Sequence, residues 1–253
     1  MAKTKLAPRL FVEPGLGPET RLALDSSQAH YLGHVKRLKA GDGVVLFNGR
    51  DGEWSAVIET IGKSHCPVTT GKRLRPQETE PGPWLAFAPV KKSQTDFIVE
   101  KAAELGASRL CPVFTQNTNS TRINLDRMRA NVVEASEQCQ RLTVPAIDEP
   151  VTLARLMAGW PTDRRLLVLD ETGAGQPIAT ALAGLQKGPD GISHECGFLT
   201  GPEGGFDKAE LDALRKLDFV TAVGLGSRVL RAETAAIAAL SCWQALLGGD
   251  NYS

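Results

Sequence analysis

Two glycine-rich turns contain the residues best suited to chemistry. They are Leu199–Phe206, which reads Leu-Thr-Gly-Pro-Glu-Gly-Gly-Phe, and Val223–Thr234. Glycine allows main-chain N–H and C=O groups to approach a flat ligand closely. The second turn also contains Arg228, Arg231 and Glu233 between two apolar segments, where charges are costly unless they are paired or used. In such a place an arginine could stabilise a developing anion, and the carboxylate of the glutamate could accept a proton.

Each turn also has a purely structural interpretation. The first could be an ordinary strand-to-helix connection, and the second could hold an Arg–Glu pair that caps the following helix. Familiar nucleotide motifs do not fit, because Gly224-x-Gly226 would need a third glycine where Val229 stands. Gly62-Lys63-Ser64 likewise lacks the leading glycine of a phosphate loop, since position 57 is valine. A G-x-S-x-G nucleophile motif does not occur in the sequence.

The histidines and cysteines do not form a recognisable metal motif. His30 and His34 have a spacing that could clamp a metal, but no H-E-x-x-H pattern accompanies them. We interpret them as histidines on a helix surface and expect no metal. The cysteines are scattered without a C-x-x-C pair, which fits reduced core thiols; they are Cys66, Cys111, Cys139, Cys196 and Cys242.

The elements that must position the two turns fall into two groups. Residues 1–75 contain short strand candidates at Arg9–Val12, Val44–Phe47 and Glu53–Ile61, and a helix candidate at Ser26–Leu38. Turn residues between them predict hairpins that curl into a small barrel. The stretch from Arg75 to Pro83 contains three prolines and cannot continue a helix or a central strand, so we place the domain boundary after residue 75.

Residues 76–253 alternate between strand and helix patterns. Near-continuous apolar strands predict burial on both faces and a mostly parallel sheet, where ligands bind at the carboxyl ends of the strands. The predicted strands are 84–88, 109–114, 165–170, 196–200 and 219–225. The predicted helices are 95–105, 125–140, one that opens at Asp207–Glu210, and 232–247. The last is apolar nearly all round, which indicates burial in the core or in a subunit interface.

The composition is that of an ordinary globular protein with a hidden charge gradient. The 253 residues contain 29 basic and 29 acidic side chains, a balance that at first argues against a nucleic-acid partner. Residues 1–75, however, hold 12 basic and 7 acidic side chains, so the basic excess lies in the first segment. No apolar run is long enough for a membrane helix and no signal peptide is evident, so we expect a cytoplasmic location.

The two turns together resemble the cofactor-binding signatures of the SPOUT methyltransferases, most closely those of the RsmE family. The similarity continues through Pro8-Arg-Leu-Phe-Val, His30-x-x-x-His-Val-Lys-Arg-Leu, Glu100-Lys-Ala-Ala-Glu-Leu-Gly and Glu134-Ala-Ser-Glu-Gln-Cys-Gln-Arg. The resemblance implies methylation of uridine N3 in 16S ribosomal RNA of the small subunit, with S-adenosylmethionine as cofactor. It also implies a PUA-like β-barrel, a SPOUT domain with a C-terminal trefoil knot, and a homodimer.

The resemblance also implies the residues of the site. Backbone and side-chain groups of both turns, together with one residue at the end of a third strand, should surround the cofactor: Leu169, Leu199, Thr200, Gly201, Pro202, Glu203, Gly204, Leu225, Gly226, Ser227, Arg228 and Leu230. Arg231 is the candidate for stabilising the uracil anion, and Glu233 is the candidate for accepting the N3 proton. Because N3 lies on the pairing edge, the uridine must be unpaired or flipped out.

Seven basic residues are candidate RNA contacts: Arg9, Lys36, Arg37, Lys91, Lys92, Arg122 and Arg141. Each could instead be a solvated surface charge. Two alternatives to the main interpretation stay open from the sequence. One is a SPOUT enzyme that modifies another ribosomal or transfer RNA position, and the other is a noncatalytic RNA-binding factor in ribosome assembly.

Overall fold

The computed structural model describes residues 7–62, 65–120, 122–185 and 196–248. The chain divides into two compact units. Unit 1 comprises Met1–Glu80 and Ser136–Val144, and unit 2 comprises Pro81–Ala135 and Pro145–Ser253. The sequence placed the boundary after residue 75, five residues before the end of the first segment of unit 1. It did not predict that Ser136–Val144 would belong to unit 1.

Unit 1 is built around a curled five-stranded sheet. Its strands are β1 (Arg9–Phe11), β2 (Arg21–Leu24), β3 (Gly43–Phe47), β4 (Glu53–Ile58) and β5 (Cys66–Arg75). The order across the sheet is β1-β3-β4-β5-β2, with β1 parallel to β3 and the other pairs antiparallel. Register shifts between β4 and β5 increase the local twist and help to curl the sheet around its core.

The predicted helix over residues 26–38 is shorter and changes type partway along. Helix α1 (Ser26–His30) begins at Asp25, whose side chain accepts from the main-chain N–H of Gln28 in a capping box. It continues as a π-helical segment, Tyr31–Val35. In this segment Leu32 is fully buried in the core of unit 1.

Unit 2 contains a second sheet in which every recorded strand pair is parallel. The strands are β6 (Trp84–Phe87), β7 (Arg109–Phe114), β8 (Ala146–Ile147), β9 (Val151–Thr152), β10 (Arg165–Leu169), β11 (Gln176–Pro177), β12 (Cys196–Thr200) and β13 (Val220–Gly224). Their order is β11-β13-β10-β12-β6-β7-β8, and β9 pairs with β7. The expected mostly parallel sheet is confirmed.

In the part of the chain that the structure describes, six helices accompany this sheet: α2 (Lys92–Glu104), α3 (Leu125–Gln138), α4 (Leu153–Gly159), α5 (Ile178–Ala183), α6 (Lys208–Leu214) and α7 (Ala232–Leu247). The last three residues of α3 belong to unit 1. Helix α7 buries one face through Ala236, Ala239 and Leu240, whereas Leu246 on another face is half exposed. None of the helices in the described ranges is long and apolar enough to cross a membrane.

The order of the strands explains where a ligand can bind. Strand β10 lies between β13 and β12, and all three run in the same direction. Their carboxyl ends therefore meet at one edge of the sheet, and the loops that follow them lie side by side.

Candidate functional site

A cavity of about 810 Å³ lies where the loops after β10, β12 and β13 meet. The volume falls within the range of roughly 300–1,000 Å³ that is usual for sites that bind small molecules and cofactors. Most of the predicted site residues line this cavity: Leu169, Thr200, Gly201, Pro202, Glu203, Leu225, Gly226, Ser227, Arg228, Leu230, Arg231 and Glu233. The structure thus brings both glycine-rich turns and the candidate catalytic residues to one place.

Two predicted cofactor residues do not line the cavity. The side chain of Leu199 is fully buried in the hydrophobic core of unit 2. Gly204 is exposed and faces Asn117, whose side-chain amide donates to the Gly204 carbonyl at 3.5 Å. The neighbouring Gly205 lines the cavity instead, and its φ of 70° is the left-handed conformation that favours glycine.

The second turn offers main-chain groups to a ligand. Gly226 has a φ of 111°, and a Cβ added there would meet no atom within 4 Å, so the space beside it is open. Within the described ranges, the main-chain N–H groups of residues 226–229 donate to no protein acceptor. These donors are therefore free to bind polar atoms of a ligand.

Arg231 and Glu233 lie at the start of α7 and both line the cavity. Arg231 occupies the N-cap position with extended backbone and makes no side-chain capping bond. Glu233 is half-buried in the first helical turn. Among the described residues, neither Arg228 nor Arg231 forms an ion pair with Glu233, so the alternative that an Arg–Glu pair caps the helix is not observed.

Asp170, at the end of β10, is a site residue that the sequence analysis missed. Its side chain is fully buried, accepts from Thr172 N at 2.8 Å and Thr172 Oγ1 at 2.6 Å, and pairs with Arg215 Nη2 at 2.7 Å. Burial alone would raise the pKa of Asp170, but the hydrogen bonds from Thr172 and Arg215 outweigh burial and hold the pKa below its usual value. Asp170 therefore remains ionised and fixes the loop that forms the third wall of the cavity.

Glu171 joins this third wall to the first glycine-rich turn. Its Oε1 accepts from the main-chain N–H of Phe206 at 3.2 Å. A Cβ on Gly201 would lie 2.9 Å from the ring of Phe206, so only glycine allows this close packing. Thr200 Oγ1 contacts the Ala232 carbonyl at 3.4 Å, which connects the end of β12 to the start of α7.

Four of the basic residues predicted to contact RNA are exposed. They are Arg37 in unit 1 and Lys91, Lys92 and Arg122 in unit 2. Lys91 is the N-cap of α2 and also lines the cavity, so it lies closer to the candidate chemistry than the sequence indicated. Lys36 is half-buried, with its ammonium 5.2 Å from the centre of the Tyr31 ring.

Arg9 and Arg141 have structural partners in unit 1, which corrects their assignment as RNA contacts. Arg9 Nε donates to Glu53 Oε1 at 2.6 Å, and its other guanidinium nitrogens donate to the carbonyls of Ser136 and Arg141. Arg141 Nε donates to Glu80 Oε2 at 2.8 Å, and only 9% of the Arg141 side chain is exposed. A guanidinium held in this way is not available to phosphate.

The described ranges lack metal-binding clusters, and the thiols of Cys111 and Cys196 are buried. No group of three or more His, Cys, Asp or Glu side chains there could hold a metal ion. Burial raises the pKa of Cys111 and raises the pKa of Cys196 to about 12. These two thiols are therefore protonated at neutral pH and are not nucleophiles.

The chain matches two family models. Residues 79–244 match the RNA methyltransferase domain, and residues 24–69 match the RNA methyltransferase PUA domain. Two relatives, both called ribosomal RNA small subunit methyltransferase E, align over most of the chain. That of Rickettsia conorii is 31% identical over 92% of this chain and 93% of its own length; that of a Synechocystis species is 32% identical over 96% and 78%.

Two solved structures have a similar fold. A methyltransferase from Legionella pneumophila, in complex with bound SAM, has a TM-score of 0.80 and 27% identity, and the match covers 94% of this chain and 97% of that chain. The ribosomal RNA small subunit methyltransferase E of Neisseria gonorrhoeae has a TM-score of 0.81 and 24% identity, with 95% and 98% covered. The second likeness supports the fold alone.

A curled N-terminal sheet, a parallel sheet and a cavity formed by glycine-rich loops, taken with the two family matches, define a two-part RNA-modifying enzyme that uses a small-molecule cofactor. The chain belongs to the RNA methyltransferase family, and the resemblance to its RsmE members is confirmed. The expected fold, a PUA-like unit followed by a mostly parallel methyltransferase sheet, is confirmed as well. The prediction that S-adenosylmethionine is the cofactor is likewise confirmed.

Proposed function

We propose that this protein transfers a methyl group from S-adenosylmethionine to N3 of a uridine in 16S ribosomal RNA of the small subunit. The names of the relatives from Rickettsia and Synechocystis support this class of substrate. The observation that carries the proposal is the cavity itself, in which Arg231 and Glu233 lie beside both glycine-rich turns. The choice of N3 follows from the resemblance to the RsmE family.

The residues around the cavity fit this cofactor. Free main-chain donors at residues 226–229 can bind its polar atoms, and Leu169, Leu225 and Leu230 supply apolar surface for a flat ring. Glu203 adds a carboxylate that can bind an amino group. These groups together would hold the nucleoside and the amino acid portions of S-adenosylmethionine.

The bound cofactor supplies an electrophilic methyl group on a sulfonium. For N3 of uracil to accept the methyl group, the nitrogen must lose its proton as the new N–C bond forms. Glu233 accepts this proton, and the guanidinium of Arg231 stabilises the negative charge that develops on the uracil ring. The target base must leave its stack to reach the cavity, and Lys91 at the cavity wall can bind the phosphate beside it.

Substitution of the two catalytic candidates tests this mechanism. We expect Glu233→Gln to lower the single-turnover rate of methyl transfer roughly 10²–10⁴-fold, because a general base is lost. Arg231→Ala should lower it roughly 10²–10³-fold, because an anion-stabilising group is lost. Calorimetric titration should show little change in cofactor affinity, and Glu149→Gln, an exposed carboxylate between β8 and β9, serves as the control. Near-normal rates in both variants would contradict the assigned roles.

The position of the methyl group can be measured directly. Ribosomal RNA from cells that lack the protein is incubated with the purified enzyme and cofactor, digested to nucleosides and analysed by mass spectrometry. We expect N3-methyluridine as the product. Methylation of another base, or of transfer RNA instead of ribosomal RNA, would refute the substrate assignment, and failure to bind cofactor would favour a noncatalytic RNA-binding factor.

Three further expectations belong to the same proposal. We infer a homodimer, because the resemblance to the RsmE family implies one. Light scattering coupled to size-exclusion chromatography should give twice the monomer mass. The second expectation is the trefoil knot that the resemblance implies. The third is a cytoplasmic location, because ribosomal RNA is modified there.

A further inference from the structure

One surface of unit 1 combines aromatic and basic groups in a way that the proposed mechanism does not use. This helical patch consists of His30, His34, Lys36 and Arg37. The imidazole rings of His30 and His34 stack, with their centres 4.7 Å apart and their planes at 28°. Both histidines are exposed, so the stacked pair faces solvent.

The spacing of the two histidines explains why these rings stack, because side chains four residues apart lie one above the other on a helix face. The π-helical segment begins directly after His30, and in it the main-chain N–H of Lys36 donates to the carbonyl of Tyr31 at 2.9 Å, which is the i to i+5 bond of a π-helix. The inner side is fixed by Leu32, which is fully buried, and by Gly33, where an added Cβ would lie 3.0 Å from Ile61. The two imidazoles are therefore held on the outer side.

Charge on the patch has a single sign. Residues 26–41 contain three Lys or Arg side chains and no Asp or Glu. Within the described ranges, the exposed side chain of Arg37 makes no ion pair or hydrogen bond with the protein. Arg37 also has a φ of 57°, a left-handed conformation that usually selects glycine or asparagine. The backbone strain makes Arg37 a candidate for a functional role, and its exposed guanidinium is accessible to an anion.

We propose that the helical patch binds an unpaired stretch of the RNA substrate, with a base stacked on the imidazole pair and a phosphate bound by Arg37. The inference rests on the proposed function, because it specifies how that RNA is recognised. Single-stranded RNA is read by bases that stack on aromatic side chains, histidine included, while cations bind the phosphates. A stacked pair of rings already provides a flat outer face on which a base adds as a third layer.

The stacking step is tested with the full-length protein and two fluorescent probes of equal length, oligouridine and the same backbone with abasic sites. We expect His34→Ala to weaken binding of oligouridine about fivefold or more, the lower limit for loss of one base–aromatic stack, and to leave abasic binding unchanged. His34→Phe keeps an aromatic face and should restore the affinity. Equal effects on both probes, or none on oligouridine, would overturn the stacking role.

The phosphate step is tested with Arg37→Asn. Asparagine tolerates the left-handed conformation, so thermal stability should stay the same or rise. The slope of log affinity against log salt concentration should fall by about 0.7, the value for one phosphate contact to a single strand. Lys72→Ala, an exposed cation on β5 outside the patch, is the matched control and should leave the slope unchanged. A loss of stability with an unaltered slope would show that Arg37 is structural.

Cofactor titrations separate this inference from the proposed function. The wild type and all patch variants should bind S-adenosylmethionine with equal affinity, because the patch lies in unit 1 and the cavity in unit 2. If the wild type binds no cofactor, the methyltransferase proposal fails whatever the RNA results are. If it binds cofactor and methylates RNA while the patch variants bind RNA normally, only the patch inference fails.

Discussion

Single residues at this site act through backbone conformation as much as through side-chain chemistry. Gly226 and Gly41 illustrate the point: both have positive φ, at 111° and 89°, and both have open space where a Cβ would lie. Only Gly226 lines the cavity, whereas Gly41 belongs to unit 1. The two positions therefore allow backbone strain to be separated from ligand contact.

We predict that Gly226→Ala and Gly41→Ala each lower the free energy of unfolding by about 1–2 kcal/mol, the cost of a left-handed conformation for a residue with a Cβ. Only Gly226→Ala should also weaken cofactor binding, because the strained turn shifts its main-chain donors. Urea unfolding and calorimetric titration measure the two effects. Unchanged cofactor affinity in Gly226→Ala would show that this turn does not contact the cofactor.

At the scale of elements, the loops are held in place by side chains from other elements. Asp170 at the end of β10 pairs with Arg215, which follows α6, and Glu171 binds the main chain of Phe206 after β12. An aspartate after a strand looks like an ordinary turn residue in the sequence. Its role depends on Arg215, 45 residues later, so no local pattern could have indicated it.

We predict that Arg215→Ala lowers the free energy of unfolding at neutral pH by about 1–2 kcal/mol, because the buried Asp170 carboxylate loses its cation. The expected loss is moderate because Arg215 itself is partly exposed. Because the folded-state pKa of Asp170 lies below its unfolded value, the carboxylate stabilises the fold above the unfolded pKa, and this contribution is lost as the pH falls through the folded pKa.

Urea unfolding should therefore show a smaller difference between Arg215→Ala and the wild type at about pH 3, below the usual pKa of an aspartate, than at neutral pH. Cofactor affinity should also fall in Arg215→Ala, because residues 171–173 line the cavity. Lys216→Ala removes a neighbouring exposed cation and serves as the control. A pH-independent difference would contradict the assigned role of the Asp170–Arg215 pair.

At the scale of the whole molecule, the basic excess of the chain lies in unit 1. Residues 1–75 have an excess of five positive charges, and residues 76–80 with 136–144 contribute two net negative charges, so unit 1 keeps an excess of three. Part of this positive charge is structural. Arg9, Arg75 and Glu53 form a cluster in which burial would raise the pKa of Glu53 but hydrogen bonds from Arg75 and Arg9 hold it below its usual value.

We predict that Arg9→Met lowers the free energy of unfolding by about 3 kcal/mol, because it breaks a buried ion pair and frees the carbonyls of Ser136 and Arg141. The salt dependence of RNA binding, measured under conditions where the variant is folded, should not change. Arg37→Asn should give the opposite pattern, which is a smaller salt dependence of RNA binding without a loss of stability. A reduced salt slope in Arg9→Met would restore Arg9 as an RNA contact.

The sequence by itself determined the longer strands and helices of unit 2, the two glycine-rich turns and the candidates Arg231 and Glu233, because apolar periodicity and turn residues act over short distances. It did not predict the short elements of unit 2, which are β8, β9, β11, α4 and α5, because so few residues carry too little periodicity. The tertiary structure decided which charges are available. Arg9 and Arg37 look alike in the sequence, yet Arg9 bonds to residues 44 and 127 positions away while Arg37 faces solvent. The π-helical form of residues 31–35 was likewise seen only in the tertiary structure, where Leu32 is buried in the core of unit 1 and Gly33 lies against Ile61, because local periodicity does not distinguish a π-helical turn from an α-helical one.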